Sequence, residues 1–145
     1  MRDRLQHYRH LEREIDNAIS RLEWLQIKAT SPPCANLSGT PRKALSTGDT
    51  LSYRVSHIVD LETEIMQLIE KRDEERRFIE SVVKQLEKPD ERAVIRLKYI
   101  DGVDWNEIIM LLYGHSDDFD LNTDRYKQRV YRLHRTAIEK LSEIA

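Results

Sequence analysis

The chain has 145 residues, a net charge of −2, 34% charged residues and only 39% hydrophobic ones. That balance suits long solvated helices, and four glycines are too few for a turn-rich β-sandwich or for glycine-rich nucleotide loops. The single cysteine, Cys34, excludes an intramolecular disulfide framework and a thiolate zinc cluster. No apolar run approaches the roughly 18 residues of a membrane span, and the charged start Met1 to Tyr8 lacks a secretion-signal pattern. The expected protein is soluble, cytoplasmic and all-α.

Residues 1–29 place Tyr8, Leu11, Ile15, Ala18, Leu22, Leu25 and Ala29 at alternating steps of three and four. Such steps keep one narrow apolar seam facing a partner helix. Residues 30–50 hold three of the four prolines, two of the four glycines and many Ser and Thr, and read as a mobile linker. Residues 51–88 resume the seam with Ile58, Leu61, Ile65 and Leu68, and again with Ile79, Val82 and Leu86. The charged patch from Glu70 to Arg77 interrupts it and reads as a solvated stretch. The simplest arrangement for 1–88 is a long, coiled-coil-like antiparallel helical hairpin. It leaves Ile79 to Leu86 for either the C-terminal region or a second protomer, and the second option predicts a homodimer.

Residues 89–145 read as a separate helical domain. Pro89 and Asp90 suit a helix start. Val94, Leu97, Tyr99 and Ile100 give that helix an apolar side, and Asp101–Gly102 ends it. Asp104, with Glu107 three residues on, caps a short apolar helix containing Trp105, Ile108, Ile109, Leu111 and Leu112. A polar turn runs from Gly114 to about Asp124, and a last helix reaches Ile144.

Little in the chain suggests an enzyme. His7 and His10 share a helix face, but nothing completes a metal site. No Ser or Cys has a nucleophile context, and no phosphate-binding loop appears. Asp118, Asp120, Asn122 and Asp124 imitate the start of a calcium loop, but Thr123 replaces its turn glycine and Arg129 its closing glutamate. The expectation is no catalysis, no cofactor and no metal.

The last helix carries the strongest signal. Tyr126, Val130, Leu133, Ala137, Leu141 and Ile144 fall on one side, and Arg125, Gln128, Arg129, Arg132, Arg135 and Thr136 on the other. From Arg125 to Lys140 there are six Lys or Arg and one acid, Glu139, whereas Asp101 to Asp124 holds seven acids and no Lys or Arg. A short helix, a turn and a longer helix with a basic outer face form a helix-turn-helix pattern. Guanidiniums and a carboxamide are the groups that meet phosphates and base edges. Arg125, Gln128, Arg129 and Arg132 are the candidate base or phosphate contacts, with Arg135 farther along the backbone and Lys98 and Asn106 on phosphate.

The run from Glu91 through Tyr99-Ile-Asp-Gly102 to Trp105-Asn-Glu-Ile-Ile109 resembles region four of bacterial sigma factors. The stretch from Val130 to Leu141 resembles that region's recognition helix. With Tyr8-Arg-His-Leu11, Glu23 to Thr30, and Asp60-Leu-Glu-Thr-Glu-Ile65, nearly the whole chain is similar to small phage and prophage proteins of Gram-positive bacteria. Some relatives in that family activate late phage transcription. The resemblance implies a DNA-binding transcription regulator that acts on double-stranded DNA and touches RNA polymerase. The alternatives are an adaptor that docks on RNA polymerase or another protein without reading sequence, and a small terminase-like DNA-packaging adaptor. Two features depart from the family pattern. Ile109 stands where it favours Ala, and the turn after Gly114 is longer by roughly seven residues and carries Asp117, Asp118 and Asp120.

If 30–50 is a linker, limited proteolysis should nick first near Arg42–Lys43. First cleavage inside 55–85 would contradict the division.

Overall fold

The computed structural model describes residues 1–30 and 47–144, leaving aside the side chains of 47–51. The expected linker at 30–50 therefore lies almost wholly outside the described residues. Five α-helices appear in order: α1 Arg2–Thr30, α2 Thr47–Val83, α3 Pro89–Ile95, α4 Trp105–Tyr113 and α5 Thr123–Ile144. No strand occurs among the described residues, and no helix among them is long and apolar enough to cross a membrane.

Close contacts divide the chain into two units. One joins Met1–Glu12 to Lys71–Ala145, and the other is Arg13–Glu70. The sequence pattern drew its boundary at 88/89 instead. The physical reason for the difference is a core cluster in which Leu5 and Tyr8 meet Ile79, Val82, Val83 and Leu86, together with Ile95, Tyr99, Ala137 and Leu141. The seam at Ile79, Val82 and Leu86 is thus consumed by the C-terminal region, at 0%, 5% and 2% exposure. None of these three side chains is left for a second protomer, so the homodimer expectation loses the surface it rested on.

The charged patch of α2 is also more than a solvated stretch. Glu75 receives two hydrogen bonds from the Arg4 guanidinium, at 2.9 and 3.1 Å. The same guanidinium lies 3.6 Å from the centre of the Phe78 ring. Arg72 and Asp73 pair beside it at 2.8 Å. Tyr8 is fully buried, and its hydroxyl donates to Glu12 at 2.9 Å. Burial and that carboxylate push the phenol up to about 12.

A second cluster, in the same unit, gathers Val94, Ile108, Ile109, Tyr113 and Val130. Ile109 is 3% exposed there, so this helix crossing accommodates its branched side chain. Between the clusters, α3 widens into a single π turn at Arg96–Ile100, closed by the Asp101 N–H on the Arg96 carbonyl at 2.9 Å. Gly102 then takes φ 72°, a conformation only glycine adopts cheaply, and a Cβ at that position would run into the Arg9 guanidinium. Asp104 caps α4 as expected, accepting from the N–H groups of Asn106 at 2.5 Å and Glu107 at 3.4 Å.

Leu5 tests this division. Leu5→Ala should cost about 2–5 kcal/mol, and urea unfolding followed through Trp105 fluorescence should register the loss. An unchanged midpoint would detach residues 1–12 from the C-terminal unit.

Candidate nucleic-acid interface

The inner face of α5 is fixed by packing. Val130, Ala137 and Leu141 are fully buried, while Ile144, expected on the same side, is 39% exposed at the helix end. Steps of three and four then carry Arg125, Gln128, Arg132 and Arg135 along the opposite, exposed side. Arg129 is also exposed but is turned to one flank, with its guanidinium 5.0 Å from the centre of the Tyr113 ring.

The formal charge of this helix is not all available. Arg135 pairs with Glu139 at 3.0 Å, on a fully solvated side of the helix where such a pair contributes little. Lys140 donates to both oxygens of Glu91, at 2.9 and 3.0 Å. Arg125, Lys127, Arg129 and Arg132 have no ion-pair partner among the described residues. Arg129, Arg132 and Thr136 also line an open recess with Lys88 and Glu91, a cation-rich flank suited to a phosphate.

The turn before α5 is ordered by its own acids and rings. Asp118 accepts from the Tyr126 hydroxyl at 2.5 Å and from the Asn122 amide at 3.1 Å. The Tyr126 bond leads in holding the Asp118 carboxyl below its ordinary value, with Arg125 adding to the effect. Phe119 and Tyr113 pack against the Tyr126 ring, with centroids at 5.7 and 5.1 Å. Asp118, Phe119 and Asn122 therefore brace the start of α5. Asp117, Asp120 and Asp124 remain exposed. Acid thus crowds the first turn of the helix, and the uncompensated cations centre on Lys127 to Arg132.

Lys98 and Asn106 are reached from a different flank. The Lys98 ammonium donates to the Val103 carbonyl at 3.3 Å and sits 4.8 Å from the centre of the Trp105 ring. Trp105 meets Tyr131 and His134 of α5 edge-on, with centroids at 5.1 and 5.0 Å. Asn106 is exposed one residue further on. These two side chains therefore border the α5 stripe on the side opposite Arg129.

Sequence reasoning missed the groups that lock this arrangement. Glu91 lies three residues before Val94 and four before Ile95, a spacing that already put it on the inner face. Nothing local pointed to Lys140 as its partner. His134 stacks on Tyr99, and its Nε2 lies 3.1 Å from the Tyr99 hydroxyl. Tyr113 brings a buried hydroxyl that has no hydrogen-bond partner among the described residues. No group of three or more potential ligands that could hold a metal ion occurs among the described residues.

No family model matches the chain, and none of the curated proteins or solved structures compared with it matches either.

His134 gives the unit a pH dependence of known sign. Burial first, then Arg2 and Lys98, hold its imidazole below the ordinary value of 6.5. The folded state thus binds its proton less readily than the unfolded chain, and stability falls as pH drops below 6.5. The wild type should lose more melting temperature than His134→Gln between pH 7 and pH 5. Parallel pH profiles would remove this role.

Proposed function

We propose that the chain is a phage-derived, DNA-binding transcription regulator that works without catalysis in the cytoplasm of a bacterial host. In this reading, α4 and α5 are the two helices of a sigma region-four-like helix-turn-helix, and α5 enters the major groove. The observation that carries it is the exposed stripe of Arg125, Gln128 and Arg132, flanked by Arg129, on a helix whose other side is packed into the unit through Val130, Ala137 and Leu141. Arg129, Arg132 and Lys88 suit the phosphate backbone, and Gln128 suits an adenine edge. Lys98, from the π turn, and Asn106, from the start of α4, contact phosphate, and Arg135 contacts it farther along. RNA polymerase is the protein partner that the sigma-like resemblance suggests. The antiparallel hairpin of α1 and α2 belongs to the same proposal. Its support is that residue 4 meets 75 within one unit and residue 21 meets 57 within the other.

One observation favours a second reading. The exposed carboxylates Asp117, Asp120 and Asp124 stand at the end of α5 that would lead into the groove, where they repel phosphate. A protein adaptor that docks through its helices without reading sequence has no such conflict.

Titration of duplex DNA at several salt concentrations separates the two. Removing a phosphate contact in Arg129→Ala or Arg132→Ala should weaken binding to all sequences and flatten the salt slope by about one unit. Gln128→Ala should instead cost about 1–3 kcal/mol at one base position. If affinity and slope stay unchanged in all three variants, the basic face is not the contact and the adaptor reading takes over.

A further inference from the structure

The unit Arg13–Glu70 carries a feature that the DNA reading does not use. Its apolar seam opens toward one end: Ile15, Leu61, Ile65 and Leu68 are buried, whereas Leu25, Ala29 and Ile58 are only half-buried. There the two helices border an open recess of about 220 Å³. Leu25, Ala29 and Ile58 are its apolar base. Trp24 and Tyr53 wall it, and they are 56% and 74% exposed. Lys28 and Arg54 complete the rim, with the Lys28 ammonium 4.3 Å from the centre of the Trp24 ring.

An exposed indole and phenol beside an apolar base are side chains of the kind that dominate binding energy at protein interfaces. The charge around them narrows the occupant. Residues 13–30 and 52–70 contain four Lys or Arg and seven Asp or Glu. Three of those four cations, Arg21, Lys28 and Arg54, stand at this end, and Arg21 is 3.4 Å from the His57 ring. Of the seven acids, only Glu23 falls within 17–30 or 52–59, and no carboxylate among the described residues lines the recess. A nucleic-acid strand passing along this unit would meet its acidic excess. A short protein segment with a few carboxylates would meet only the cations.

We infer that this recess docks a partner protein segment in which an apolar side chain is flanked by Asp or Glu. The apolar side chain enters between Trp24 and Tyr53, and the carboxylates pair with Lys28 and Arg54. The inference goes beyond the DNA reading and stands without it.

The test is a fluorescence-anisotropy titration of the full chain against a labelled twelve-residue peptide in which Leu and Phe alternate with Asp and Glu. A counterpart peptide carries Lys at every acidic position. The acidic peptide should bind saturably and the basic one should not. Trp24→Ala should weaken binding about tenfold or more. The double variant Lys28→Glu/Arg54→Glu should reverse the preference, an outcome that requires an intact recess. Failure of the wild type to bind the acidic peptide would overturn the inference. So would equal binding of both peptides or an unchanged affinity in Trp24→Ala. Tighter binding of a single-stranded oligonucleotide, lost in Trp24→Ala, would give the recess to nucleic acid. Self-association lost in Trp24→Ala would give it to a second copy. Either result would equally overturn the acidic-segment assignment.

Discussion

Glu91 has no exposed surface, and a buried carboxylate is costly unless a cation and good hydrogen bonds answer it. Lys140, reaching both of its oxygens, supplies that answer from near the far end of α5. The pair therefore limits how α5 can rotate or slide on α3. A turn of the helix that kept Val130 and Leu141 roughly covered but moved Lys140 away would strand the charge. Ala137, fully buried between them, lets the two helices come close. The direction in which the arginines point is set by this constraint on the opposite side of the same helix.

The arrangement also explains why α5 is less cationic in the fold than along the sequence. Lys140 is committed to Glu91, Arg135 to Glu139, and Arg125 lies close to the field of Asp118. What remains uncompensated is a short central stretch bounded by acid at the start of the helix. Binding through so compact a patch depends on few contacts, so each one counts. The aromatic groups beside it serve as mounts. Tyr113 carries the Arg129 guanidinium on its ring, and Trp105 carries the Lys98 ammonium. Each cation is positioned by a contact that leaves its charge in place.

Much of the helical content was legible because periodicity and caps are local. Asp104, Gly102 and the two faces of α5 could be read from spacings of three and four residues. Partner choice could not be read in this way. Ile79, Val82 and Leu86 suit any apolar surface equally, and no local pattern says that Leu5 and Tyr8 complete their cluster. Glu91 could be placed on an inner face with Lys88 three residues before it, 4.0 Å away, but the lysine that binds both of its oxygens is 49 residues away. The bracing of the long turn by Asp118 and Tyr126 was hidden for a related reason. A run of aspartates looks solvated until the hydroxyl that binds it is located. Sequence analysis marked Arg125, Gln128, Arg129 and Arg132 as candidate contacts, and all four are exposed on α5. The Arg135–Glu139 pair at i,i+4 is readable in the sequence, whereas the pairing of Lys140 with Glu91 becomes visible only in three dimensions.

Because Leu5 and Tyr8 share a core cluster with Leu141, α1 and the end of α5 must both have been synthesised before that core is closed. At ordinary rates of translation, about ten seconds separate the appearance of these residues. During that interval α1 leaves the ribosome with two large apolar side chains whose partners do not yet exist. Closure of this core therefore waits until Leu141 has been synthesised. A truncated translation product would leave the apolar start of α1 exposed, as a mark by which the cell could recognise it.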